Sequence, residues 1–105
     1  MLLDTSGLLA AIDASQARHV DCAAIIAGRP GPFLLSPFVL AELDYLLGSR
    51  VGAAAQRALL DEVVRGAYRL ESFDAADVEV AQSVMAKYRD QQIGLADASL
   101  VVLAA

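Results

Sequence analysis

Asp4, Glu42 and Asp97 are the residues of this 105-residue chain whose type and setting could do chemistry. Each sits in an apolar or small-residue stretch where an element is expected to begin or end: MLLD-TSGLLAAID, SPFVLAELDYLL and GLADASLVVLAA. A carboxylate beside a core is disfavoured in its charged form unless it has a partner. Two carboxylates a few Å apart repel by roughly 4 kcal/mol at an effective dielectric near 20, so three converging acids need protons or a cation. All-oxygen ligands without His or thiolate suit Mg²⁺ or Mn²⁺ rather than zinc or copper. Such an ion supports in-line hydrolysis of a phosphodiester. The competing reading makes the three acids helix caps and ion pairs.

Other chemistries find little support. The one cysteine, Cys22, cannot form an intrachain disulfide or a zinc site alone, and reads as a small core or helix residue in a reducing cytosol. The one histidine, His19, lies in the polar stretch SQARHVD and reads as an exposed helix position, not as part of a Ser-His-Asp or Cys-His centre. GRPGP at 28–32 is a turn, not a phosphate-cradling loop between strand and helix. Hydrophobic residues at 57% against 20% charged allow a core and argue against disorder. Mean hydropathy is +0.51, yet no apolar run approaches the roughly 18 residues of a membrane span. The N-terminus has no basic region and carries Asp4 in its first apolar run, which argues against a signal peptide and for a cytoplasmic protein. A net charge of -5 counts against nucleic-acid binding. That count overstates the repulsion felt by a phosphate if some acids are metal ligands.

The elements that must position the acids alternate. Residues 1–4 read as a buried strand ending at Asp4. Thr5 or Ser6 is expected to cap a helix to about Asp13, and a second helix covers Gln16 to Ala27. Phe33 to Leu35 form the next strand, and Ser36-Pro37 starts a helix with Ser as N-cap and Pro at its first position. That helix runs to about Arg50 with Val39, Leu43, Leu46 and Leu47 as its core stripe. A helix from Ala53 to Arg65, a strand from Tyr68 to Leu70, and a helix capped by Asp74 follow. In that last helix Ala81, Val84, Met85 and Tyr88 share one face. A final apolar helix begins near Leu95. This order predicts a single α/β domain over residues 1–105, with a mainly parallel sheet flanked by helices.

In such sheets ligands bind beyond the carboxyl ends of the strands, where Asp4 points and where the helix carrying Glu42 starts. Asp97 joins them if its helix starts at the same edge. Asp44 is two residues from Glu42, about 200° around the helix, so it cannot face the same point and is expected to play a structural role such as a salt bridge. Asp90 is expected at a helix C-terminus, where Lys87 could offset its unfavourable charge.

The segments D-T-S-x-L-L-A at 4–10, S-P-x-V-x-A-E-L at 36–43 and L-A-D-A-S-L-V at 95–101 together resemble PIN-domain ribonucleases, most closely the VapC-type toxins of bacterial toxin–antitoxin pairs. The resemblance runs along the whole chain in the family's order. It implies a PIN-like three-layer fold and a Mg²⁺- or Mn²⁺-dependent endoribonuclease site acting on structured RNA such as tRNA or rRNA. Asp4, Glu42 and Asp97 fall on the family's first three acidic positions. Thr5 and Ser6 match the hydroxyl residues that orient the first acid or a nearby water, with a helix cap the alternative for Ser6. The resemblance also implies inhibition by a VapB-type antitoxin and a homodimer. The family supplies a fourth acid and a last strand beyond the point where this sequence stops, so the domain is expected to be truncated at its C-terminus. The alternative function is a catalytically inactive PIN domain that binds a partner. A phosphoacceptor receiver domain would need paired acids after the first strand and a late lysine, whereas Asp4 stands alone and Lys87 is the only lysine.

Overall fold

The computed structural model describes residues 1–28 and 32–104. The expected GRPGP turn falls on residues 29–31, outside that set. Helix α1 spans Thr5–Ile12 and α2 spans His19–Gly28; they are followed by strand β1, Phe33–Leu35, and helices α3, Pro37–Arg50, and α4, Ala53–Val64. Strand β2, Tyr68–Leu70, leads into α5, Ala75–Lys87, a short 3₁₀ turn at Arg89–Gln91, and α6, Leu95–Ala104. β1 and β2 pair in parallel with Phe33 opposite Tyr68 and Leu35 opposite Leu70. The α/β architecture with a parallel sheet thus agrees with the alternation of the sequence.

The first strand differs from expectation. Only Leu2 bridges the sheet, in parallel with Leu34 on the side of β1 away from β2. Leu3 N–H donates to Leu34 O at 3.1 Å and Leu34 N–H to Met1 O at 2.7 Å, and Asp4 then turns the chain into α1. A strand stopped by a helix cap after three residues has room for one bridge and no ladder.

The remaining starts follow from side-chain chemistry. Ser36 Oγ accepts from the backbone N–H of Phe38 at 3.2 Å and of Val39 at 3.5 Å, with Pro37 behind it in the first turn. Asp74 and Asp77 form a reciprocal capping box on α5, each carboxylate accepting the other's backbone N–H at 3.0 Å. α2 begins three residues later than expected because Asp13 holds the preceding residues in a turn. Its carboxylate accepts from Ser15 N–H at 3.0 Å, Ser15 O–H at 2.8 Å and Gln16 Nε2 at 3.3 Å. These bonds hold the Asp13 carboxyl below its ordinary pKa of 3.8, with the backbone N–H of Ser15 the largest cause.

Leu3, Leu8, Leu9, Leu35, Val39, Leu43, Leu47, Leu59 and Tyr68 form the core. The α3 stripe is the axis of it: Val39, Leu43 and Leu47 are fully buried, and Leu46 packs at the margin. On α5, Ala81 is buried and Val84 and Met85 half-buried, while Tyr88 at the end of that face is exposed.

Candidate functional site

Asp4 is the N-cap of α1, a position expected of Thr5 or Ser6. Its Oδ1 accepts from Gly7 N–H at 2.7 Å, and Oδ2 has no partner among the described residues. The bond fixes the plane of the carboxylate while leaving one oxygen for another ligand. Gly7 makes it possible: a Cβ there would stand 2.7 Å from Asp4 Oδ1. Thr5 and Ser6 instead occupy the first two helical positions, Thr5 half-buried and Ser6 exposed.

Two concavities meet at Asp4. One is an apolar groove of about 490 Å³ between the Leu2–Leu3 segment, Ile25 and Ile26 of α2, and Leu100, Val101 and Ala104 of α6. The other, of about 460 Å³, is more polar and places Ser6, Gln16 and Arg18 around the same carboxylate. Asp97 lies in the first turn of α6, and Leu100, Val101 and Ala104 follow it at i+3, i+4 and i+7. Residues so spaced share one helix face, so Asp97 stands at the head of the stripe whose later residues wall the apolar groove, although it does not itself line it.

Glu42 is exposed on α3, one position from the buried Leu43, and does not line either concavity. Asp44, on the other side of the helix, is bound by Gln56 Nε2, which donates to its backbone carbonyl at 3.0 Å and to Oδ1 at 3.4 Å. Its structural role is therefore a hydrogen bond across to α4, where a salt bridge was expected. Asp90 sits in the 3₁₀ turn, exposed, and Lys87 Nζ lies over the Tyr88 ring at 5.6 Å.

Asp4 lines the apolar groove, Asp97 stands in the first turn of the helix that walls it, and Glu42 lies on α3 outside it. Among the described residues no three acids stand close enough to form a ready-made cation cage. All three are exposed, and none makes a salt bridge among those residues. Mutual repulsion and solvent exposure give three such side chains no reason to converge on their own. As a donor set they nevertheless fit a hard divalent cation: oxygen ligands only, unpaired, carried by helices that begin beside the same sheet edge.

Two residues of this region escaped the sequence reading. Arg18, taken with the polar SQARHVD stretch, faces the same concavity as Asp4 and has no carboxylate partner among the described residues. Ser99 lies in the L-A-D-A-S-L-V segment but has no role assigned to it from sequence, yet it is fully buried against Ser36 at 2.7 Å. Elsewhere, Arg69 is paired to Glu71 at 2.9 Å, Arg65 Nε donates to Asp61 O, and Arg50 lies near Asp13, at the far ends of α3 and α1.

The PIN-domain family model matches residues 1–105. Ribonuclease VapC26 of Mycobacterium tuberculosis (strain ATCC 25618 / H37Rv) is 45% identical over 104 residues, which is 99% of this chain and 77% of that protein. The crystal structure of M. tuberculosis VapC20, a sarcin-ricin loop cleaving toxin, superposes with a TM-score of 0.89 at 26% identity, over 97% of this chain and 78% of that one. The long match to one relative and the close superposition on another agree with the D-T-S, A-E-L and A-D-A-S segments and with the parallel sheet that carries them. The chain belongs to the PIN-domain family, among its VapC-type ribonuclease toxins.

Proposed function

We propose that this protein is a divalent-metal-dependent endoribonuclease that hydrolyses phosphodiester bonds in structured RNA. The observation that carries the reading is Asp4, whose carboxylate has one oxygen without a partner among the described residues, in a groove walled by the helix whose first turn carries Asp97. Asp4, Asp97 and Glu42 would hold Mg²⁺ or Mn²⁺, which when bound supplies a Lewis acid for the phosphate and lowers the pKa of water. Gly7 N–H orients the Asp4 carboxylate, Ser6 lines the polar concavity beside it, and Thr5 and Ser6 would orient the acid or a nearby water. Arg18, across the polar concavity, offers a guanidinium fork for a phosphate of the RNA backbone. That local cation answers the net charge of -5, which on its own would repel nucleic acid.

VapC20 is a sarcin-ricin loop cleaving toxin, so a structured ribosomal or transfer RNA is the substrate class proposed for this chain. A VapB-type antitoxin is the proposed inhibitor, a homodimer the proposed assembly, and the cytoplasm the proposed location. The test is cleavage of total tRNA and of ribosomes by purified protein with Mg²⁺ or Mn²⁺. Cleavage is expected with either ion, lost in excess EDTA and lost in Asp97→Asn. Equal cleavage in EDTA would refute the metal-dependent reading.

A further inference from the structure

Ser36 and Ser99 are 63 residues apart in sequence and both wholly shielded from solvent, with their hydroxyls 2.7 Å apart. The direction of each bond can be worked out. Ser99 Oγ lies 2.6 Å from Ala96 O, a carbonyl that can only accept, so the single Ser99 proton goes there. The Ser36 hydroxyl must then donate to Ser99 Oγ, while its own oxygen accepts from Phe38 N–H and Val39 N–H. One directed chain therefore runs from the first turn of α3 through two buried hydroxyls to the Ala96 carbonyl of α6. That carbonyl belongs to the same planar peptide unit as the nitrogen of Asp97. Ser99 points about 200° away from Asp97 around α6, so the clasp grips the inner side of the turn whose outer side carries the acid.

We infer that Ser36 and Ser99 form a clasp that positions Asp97: it locks the first turn of α6 to the start of α3 and so sets the Asp97 carboxylate at the groove beside Asp4. The inference rests on the metal-dependent reading of those acids. Both hydroxyls are satisfied within the clasp and neither reaches solvent, so they act through Asp97 and do not touch substrate.

The test compares Ser99→Ala with Leu59→Ala, a truncation of a buried α4 residue outside both concavities. Mn²⁺ binding to the full chain is measured by calorimetry, and RNA cleavage is measured at saturating Mn²⁺. Ser99→Ala is expected to weaken Mn²⁺ binding about tenfold, in the range seen when groups supporting metal ligands are removed. Leu59→Ala is expected to lower the Tm yet leave Mn²⁺ affinity within about twofold, since distant sites act independently. Should Ser99→Ala not fold, Ser99→Cys, which keeps the shape but weakens both bonds, carries the same comparison. Equal Mn²⁺ affinity in the Ser99 and Leu59 variants overturns the clasp, as does a parent protein that binds no Mn²⁺. A parent that binds Mn²⁺ but cleaves no RNA, with binding still weakened in the Ser99 variant, overturns the ribonuclease reading and leaves the clasp standing.

Discussion

Replacing Gly7 by alanine separates the position of the Asp4 carboxylate from the stability of the fold. The new Cβ would stand 2.7 Å from Asp4 Oδ1, whereas ordinary contact begins near 3.4 Å. The carboxylate must retreat by about 0.7 Å, which takes the 2.7 Å bond from Gly7 N–H to the edge of hydrogen-bonding range. Losing an N-cap costs about 1 kcal/mol. Exchanging glycine for alanine within a helix returns up to about 1 kcal/mol, so the two effects nearly cancel. The Tm is therefore expected to move by no more than about 5 °C, given that 1 kcal/mol corresponds to roughly 4–8 °C in a domain of this size. Activity should behave differently, because a displacement of about 1 Å at a reacting group can lower the rate about 100-fold. Initial rates of cleavage of a fluorogenic RNA hairpin at saturating Mn²⁺, together with a thermal melt, decide the matter. A Gly7→Ala protein with parental kcat would show that the orientation of Asp4 is not what the reaction uses.

Asp4→Asn keeps an N-cap of equal quality and should melt like the parent while losing cleavage, whereas Asp4→Ala should lose cleavage and about 1 kcal/mol of stability, measured by urea titration. Burial, and then the neighbouring Glu62, raise the Tyr68 phenol from 10.0 to about 12. Because the folded state favours the neutral phenol, its contribution is complete below pH 10 and is lost as pH rises through about 12. The urea midpoint of the parent should therefore fall more steeply across that window than that of Tyr68→Phe, and equal slopes would contradict it. At the acid end, hydrogen bonds from Ser15 to Asp13 and from Asp77 to Asp74 hold both carboxyls below 3.8. Their contribution is present above that value and lost as pH falls below it, so Asp13→Ala should flatten the acid limb of a Tm-versus-pH curve.

The starts of the helices were the most legible part of the sequence, because capping is local chemistry. Ser36-Pro37 and Asp74 stand where they were expected for the reason they were expected. The cap of α1 was expected of Thr5 or Ser6, with capping only the competing reading for Asp4, although an acid just before T-S-G can be both ligand and cap. What escaped was set by contacts across the chain. Ser99 matters because α6 packs on α3, and no periodicity within either helix announces the partner of a single hydroxyl. Arg18 matters because the turn at Asp13 swings α2 back toward α1, which puts a residue of a plain polar stretch beside the first acid. The helices that carry the three acids were legible from alternation; the spacing of the acids was not, because exposed side chains are positioned by what they bind.

The single bridge at Leu2 gives the site a thermodynamic character of its own. Among the described residues, Asp4 is tethered to the sheet through Met1–Leu3, by two backbone bonds and one from the Met1 ammonium to Pro32 O at 3.3 Å. Chain ends held by so few bonds open locally at a free energy far below that of global unfolding. Every such opening frees the acid from the sheet, leaving it held by α1 alone, while Val39, Leu43 and Leu47 stay packed. Mild urea or warming should therefore silence the protein well before its helices melt, and amide exchange at Leu3 should report the fraction of molecules competent at any moment.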